Sequence, residues 1–480
     1  MKPKEILIIG AGIAGCAVGL ALAKRGIPVT IITSSFDQRI YPPYLKIESL
    51  EERLENLKES NLQLGCSKAM EQITTTARRS FDELLETHLQ LDRHGTIDIH
   101  RCLLDQLKLI QHVEWYSQYT VVELLTLEHH SEKKADVYKK SACMGIYAYN
   151  HQTKQVEKIL AKETILATGG ATSLFPYSTN INTATGSGFA MAFQAGARLV
   201  NMEQIVFHPM ALYSKGNPCV PLPLDLLKEG GILHASKNLP LEHPIIDGDL
   251  SLHFYDELLK THTENLFLDL TLLDPISIKE KFPFVDISCL NYGYNIAKDL
   301  IPVGPAAQYS CGGVAVDKTA QTSIQRLRAV GEVAATGLCD EYYDKSISLL
   351  ESLTWAVACA EDISKQIQKF VYYFPQLREW NKNTQMSIPV VQEDFALLKQ
   401  IMWNYVGIKR DYPHLRRGYD LLRNLKMHND EESRNLFSIE RIHLQQAIQA
   451  ALLITQAALD KTERQAAKAE VCDALVYSVR

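Results

Sequence analysis

The chain predicts an α/β protein: a split, Rossmann-like parallel-sheet domain, an inserted capping domain and a C-terminal helical bundle. Three observations carry this. Residues 5–33 read in order as strand, glycine turn, helix and strand, the βαβ order that a lone glycine motif lacks. Strand patterns return at residues 156–167, before a glycine pair, and late in the chain at residues 329–333, before a long helix. From about residue 379 the apolar period is helical and glycines are few, as in a bundle. At 480 residues the chain exceeds one compact core.

Residues 5–9 (EILII) form the apolar, β-branched run of a buried parallel strand. Gly10, Ala11, Gly12, Ile13, Ala14 and Gly15 follow, then a small-residue helix to Lys24, and a second strand at 29–33. Each glycine has a physical task. Gly10 permits the tight turn, Gly12 lets backbone approach a pyrophosphate, and Gly15 lets helix and strand pack closely. The helix start then offers unpaired N–H groups and a positive dipole end to phosphates. This glycine spacing displaces another reading of the same stretch, in which Lys2, Lys4 and the apolar run to Ala23 form a secretion leader. An acidic residue ordinarily ends the second strand and holds a ribose; here Thr33 and Ser34 stand there, so that contact is weaker or made differently.

Residues 34–95 turn polar and helical, 99–112 form an amphipathic helix, and 113–126 and 141–149 read as strands. The strand at 156–167 ends in Thr168, Gly169 and Gly170, a second backbone approach to a dinucleotide. Residues 186–196 form a small-residue helix, and Gly331 with Glu332 ends the strand at 329–333 before a helix over 348–370. The Glu332 carboxylate suits a ribose or a phosphate-adjacent group. Three such pieces in this order favour FAD over NAD, because FAD folds return late in the chain to finish the site. Further helices are expected at 390–405, 415–427 and 438–459.

His208 follows the first cofactor half and reads either as a structural hydrogen-bonder or as a functional group. Cys311, in a turn with Gly312 and Gly313, lacks a basic neighbour in sequence and so makes a poor nucleophile. The ten cysteines are scattered without a C-x-x-C pair, which favours reduced thiols in a cytoplasmic protein. Hydrophobic residues at 46% and charged residues at 22% exclude disordered and fibrous classes. A net charge of −6 argues against nucleic-acid binding. No membrane association is expected.

Taken together, the motifs resemble the L-aspartate oxidase branch of the fumarate reductase/succinate dehydrogenase flavoproteins over nearly the whole chain. The resemblance rests on residues 166–170 (LATGG), 190–192 (AMA), 207–209 (FHP), 305–307 (PAA), 309–313 (YSCGG), 330–333 (VGEV), 336–338 (TGL) and 348–351 (SLLE). Residues 402–408 (MWNYVGI) resemble the helical domain of the aspartate oxidases rather than of their respiratory relatives. It implies an FAD domain split over 1–206 and 308–372, a capping domain at 207–307 and a helical domain at 373–480. It further implies cofactor contacts from Ser34, Glu332, Ser348 and Leu349 beside the glycines, and His208 as a catalytic residue. The implied reaction is oxidation of L-aspartate to iminoaspartate, which opens de novo NAD synthesis, with O₂ or fumarate reoxidising the flavin.

The departures are as informative. The family's glycine-rich stretch beneath the flavin ring is absent, since no glycine occurs between Gly26 and Gly65. No histidine lies between residues 34 and 69, so flavin is expected to be held noncovalently. Gln308 stands for the family's histidine, Tyr343 for an arginine, Ser187 for an aspartate, Pro223 and Leu224 for threonine and glutamate. Near residues 247–255 there is no arginine. The tail's arginine-glycine-x-histidine is reduced to Arg464, Gln465, Ala466 and Ala467. A dicarboxylate needs cationic clamps, which arginine provides as paired donors. Losing such contacts at roughly 2–5 kcal/mol each removes most aspartate affinity. Two function classes follow: an FAD enzyme acting on an amino acid or dicarboxylate, and a non-catalytic descendant that keeps the fold to bind a protein partner.

Overall fold

The computed structural model describes residues 2–34, 44–46, 68–85, 96–213, 218–236, 239–241, 249–338, 345–380, 389–433 and 438–477. Strand β1 (Lys4–Ile9) is central and its last four residues are buried, as a parallel strand covered on both faces requires. Helix α1 (Ile13–Lys24) follows at once, buried from Ala14 to Ala23. Its small residues make that possible: a Cβ at Gly19 would sit 3.1 Å from the Ile31 side chain in β2 (Val29–Thr33). Helices α2 (Lys68–Leu85) and α3 (Ile99–Lys108) close the same face, the latter capped by Asp98, which accepts from the Arg101 N–H at 3.0 Å.

The sheet then runs through β3 (Val113–Ser117), β4 (Tyr119–Thr126), β5 (Cys143–Asn150) and β6 (Gln155–Leu166). Spatially β3, β2, β1 and β6 are parallel neighbours, whereas β5 pairs antiparallel with β6 and β4 antiparallel with β5. Strand β6 pairs with β5 over Gln155 to Leu160 and with β1 from Ala161 to Leu166. The single strand expected over 113–126 is therefore two. Gln118 takes a left-handed φ of 63°, which breaks the run and sends β4 to the far edge.

Helix α4 (Ser187–Gln194) precedes a second, six-stranded sheet built around the antiparallel pair β7 (Ile205–Leu212) and β8 (Ile301–Ser310). With α5 (Leu250–Thr261) this sheet closes over its own core, including Met210, Phe254, Leu268 and Val303. Strand β9 (Leu327–Ala329) rejoins the first sheet parallel to β6. The strand expected at 329–333 thus ends early: Gly331 adopts φ 73° and opens a 3₁₀ turn, Gly331–Val333, against the start of α1.

The last helices are α6 (Lys345–Gln366), α7 (Pro389–Val406), α8 (Tyr412–Ser433) and α9 (Ile439–Tyr477), the last extending well past residue 459. The last three share one apolar core with the first sheet, since Leu398, Leu422 and Ile448 belong to the same cluster as Leu7, Ile32 and Leu166. Trp403 on α7 sits at a three-way junction. Its ring lies 5.0 Å from Tyr177, 6.2 Å from Phe207 on β7 and 5.9 Å from Tyr255 on α5, while Tyr177 stacks on Tyr213 at 4.2 Å.

Candidate active site and cofactor cavity

The glycine turn shows three different geometries. Gly10 has φ 111°, and a Cβ there would fall 2.2 Å from the Ala167 carbonyl oxygen of the neighbouring strand end. At Gly15 a Cβ would lie 2.0 Å from the Gly10 carbonyl oxygen. Both positions exclude any side chain through backbone contact. Gly12, by contrast, has an ordinary φ of −72°, and a Cβ there would meet nothing within 4 Å. The free space beside Gly12 is the floor of a cavity. Gly15→Ala is expected to destabilise the apo-protein by roughly 3 kcal/mol in urea unfolding, because two backbones must separate. Gly12→Ala is expected to change it by less than about 0.5 kcal/mol. Equal losses in the two variants would overturn this distinction.

The cavity, about 580 Å³ in volume, is lined by Gly10, Ala11, Gly12, Ala14, Ser34, Gly169, Glu332, Ser348 and Leu349, all singled out in the sequence. Gly15 and Gly170 shape it from behind rather than lining it. A Cβ at Gly170 would fall 2.1 Å from Glu332 Oε1. Helix α1 starts at this cavity with no side chain capping it, so its first N–H groups face open space. Thr168 Oγ1 on the same wall is buried without a hydrogen-bond partner. A floor that a Cβ would fill, an uncapped helix start and an orphaned hydroxyl fit a dinucleotide.

Glu332 forms the opposite wall, its Oε1 accepting from the Ser310 N–H at 2.9 Å. Burial pushes its carboxyl up to about 7, opposed by hydrogen bonds from Ser310, Gly170 and Asn180. Glu351, one turn beyond Ser348 on α6, is likewise pushed up to about 7 by burial, opposed only by the Thr336 hydroxyl that donates to it. Both carboxyls stay protonated in the folded apo-protein at pH values where an unfolded chain, with an ordinary value of 4.5, has released the proton. The folded state then binds more protons, so stability is full below about pH 4.5 and falls as pH rises towards 7, by on the order of 3 kcal/mol per carboxyl. Glu351→Gln is expected to flatten the melting temperature of apo-protein against pH between 5 and 7, within the window these shifts define. An unchanged slope would count against it.

His208 lies on β7, paired with Ala306 on β8, and does not line this cavity. Its Nδ1 accepts from the Met210 N–H at 3.2 Å. Gln308 and Tyr309 do line the cavity, beside Glu332. No arginine occurs in the sequence between Arg198 and Arg326. Arg326 donates to the Lys162 and Ala161 carbonyls at 2.7 and 2.6 Å, and Arg328 to Asp362 at 2.6 Å and the Thr319 carbonyl at 2.9 Å. Lys228 pairs with Asp225 on the surface. Tyr343, residues 242–248 and most of the segment following β2 lie outside the described residues. Cys311, expected as a reduced thiol, is disulfide-bonded; a sulfur so engaged has no thiolate, which removes its reading as a nucleophile. Cys16, Cys102, Cys143, Cys219, Cys289 and Cys359 are free.

Four lining residues carry no signal in the sequence: Phe395 and Lys399 on α7, and His443 and Gln446 on α9. Their helices read as bundle helices, and nothing local marks one face as bordering a site built on the glycine turn at the other end of the chain.

Fold and cavity together define a class: a dinucleotide-binding flavoprotein whose first sheet is completed late in the chain. Residues 47–349 match the model of the FAD binding domain family, and residues 5–73 match that of glucose inhibited division protein A. The chain is 31% identical to an L-aspartate oxidase of Pseudomonas aeruginosa over 377 residues, covering 76% of this chain and 69% of that protein. It is 35% identical to L-aspartate oxidase 1 of Ralstonia nicotianae, covering 67% and 62%, and 27% identical to an L-aspartate oxidase of Yersinia pestis, covering 96% and 94%. This chain belongs to the L-aspartate oxidase family of FAD-dependent flavoproteins. Its fold matches E. coli quinol fumarate reductase FrdA with a TM-score of 0.75 at 19% identity, over 95% of this chain and 89% of that one. No described helix is long and apolar enough to cross a membrane, and the described residues hold no cluster suited to a metal ion.

Proposed function

We propose that the chain is an FAD-dependent oxidoreductase of L-aspartate oxidase type that acts on a small amino acid or dicarboxylate gripped without the family's arginines. The observation that carries it is the uncapped start of α1, opening at Gly12 onto a cavity walled by Glu332, Ser348 and Leu349. When bound, FAD supplies the acceptor for a hydride. Gly10, Ala11, Gly12 and Ala14 would receive its diphosphate, with Gly15 letting helix and strand pack closely behind them, and Ser34 would meet a ribose hydroxyl. Gly169, Gly170, Glu332, Ser348 and Leu349 border the remainder. The Met210 N–H on His208 Nδ1 leaves the neutral imidazole with its proton on Nε2. The second sheet, with its own core, supports a capping domain at 207–307 between cofactor segments 1–206 and 308–372, ahead of a helical domain at 373–480. A cytoplasmic setting agrees with six free thiols among the described residues, five of them buried.

A second reading, a non-catalytic descendant that engages a protein partner, is favoured by the arginine-free span between Arg198 and Arg326 and by the engagement of both residues that follow it. Visible absorption of the purified protein, followed by anaerobic mixing with a panel of amino and dicarboxylic acids, separates the two. The enzyme reading expects flavin absorption that at least one acid bleaches. Colourless protein that takes up no added FAD overturns the cofactor assignment, and a coloured protein that no acid bleaches supports the second reading.

A further inference from the structure

Lys399 is the sole lysine or arginine among the described residues lining the cavity. It projects from α7, one turn after Phe395, and has no hydrogen-bond or ion-pair partner among the described residues. Burial alone acts on its ammonium and pulls its pKa below the ordinary lysine value. A half-buried cation with nothing to neutralise it is costly, and proteins seldom keep one without a counter-charge in the working state. The wall it shares continues through His443 and Gln446 on α9, and Gln446 Nε2 donates to the Val122 carbonyl at 3.0 Å. That bond ties the wall to β4, whose residues Tyr119, Thr120 and Val121 line the cavity together with Ser34 and the uncapped start of α1. Glu332, the carboxyl of the lining, is engaged by the Ser310 N–H at 2.9 Å.

We infer that Lys399 is a subsite for the diphosphate of the bound nucleotide, an anion held between the start of α1 and a cation supplied by the helical bundle. The inference rests on the FAD reading of the cavity. Two negative charges then meet the partial positive charge of a helix start on one side and a full positive charge on the other. The helical segment becomes part of the cofactor site rather than an appendage to it, and the counter-charge offsets the burial of the ammonium.

The test uses the full-length apo-protein, titrated with FAD, ADP and riboflavin by calorimetry and by flavin fluorescence. Lys399→Met is expected to weaken FAD and ADP by roughly tenfold to a hundredfold, to lessen the salt dependence of both, and to leave riboflavin unchanged. Lys399→Arg is expected to restore most of the loss. Lys399→Met binding FAD and ADP as tightly as the wild type overturns the inference, including the case where only the KM of an acid substrate rises. An equal loss for riboflavin also overturns it, by making the effect one of packing. Wild-type protein that binds neither FAD nor ADP removes the cofactor reading and the inference with it, whereas wild type that binds both while the variant matches it removes the inference alone.

Discussion

Gly12→Val is expected to yield a folded protein that has lost its flavin. The backbone there has φ −72° and ψ −174°, an extended conformation that a β-branched residue adopts readily. The Cβ would meet no protein atom within 4 Å, so the fold registers little strain. The branched side chain instead occupies the space where a pyrophosphate must approach the backbone. The ratio of flavin to protein absorbance after gel filtration should fall to background, while urea unfolding of the apo forms stays within about 1 kcal/mol. Wild-type flavin content in the variant would remove the main support for the cavity as the cofactor site. Gly15→Ala is the mirror case, in which stability falls because the clash is with protein backbone.

The second large effect concerns the reaction. L-Aspartate turnover by the purified protein, measured as peroxide with saturating FAD, is expected to lie orders of magnitude below a typical kcat of about 10 s⁻¹. Both carboxylates of aspartate must be held while a hydride leaves carbon, and orientation supplies several kcal/mol of the barrier. The positions where the resemblance leads one to expect arginine are Tyr343 and a span without arginine. The nearest arginines that follow are tied to Lys162, Ala161, Asp362 and Thr319, so releasing either would leave carbonyls or carboxylates unpaired. Lys228 is engaged with Asp225, and an ammonium lacks the planar paired donors of a guanidinium. Robust aspartate turnover that vanishes in His208→Ala would show that neutral donors suffice and would establish His208 as the essential group.

What was legible in the sequence was local. The βαβ order at residues 5–33 could be read because Gly10 and Gly15 answer to constraints within a few residues or at the adjoining strand end, which the structure shows in ångströms. The parallel sheet was legible in part for the same reason, since β1 and β2 are short apolar runs and β1, β6 and β9 lead into glycines. The break at Gln118 was not, because a left-handed glutamine has no sequence signature and is imposed by where β4 must pair. Gly331 misled in the opposite direction: valines on either side of a glycine and glutamate read as one strand, whereas its φ of 73° makes a turn. Least visible was the bundle's share of the cavity. Lys399 sits in a helix whose apolar period is satisfied by Leu398 and Met402, and its exposure to the cavity is decided by packing against the far end of the chain.

The junction around Trp403 has a mechanical meaning. One indole touches rings from the first sheet's connecting segment, from β7 and from α5, while itself riding on α7. A capping layer joined to its neighbours only by connecting loops would swing freely. Here any swing must part aromatic edges on two sides of the same ring, at about 1 kcal/mol for each pair. Displacement of the second sheet is thereby transmitted to the helices rather than absorbed at a hinge. In a variant with Trp115, Trp355 and Trp380 replaced by phenylalanine, the remaining indole is a natural strain gauge, and its wavelength and polarisation should register, in real time, whether the second sheet is seated against the helices.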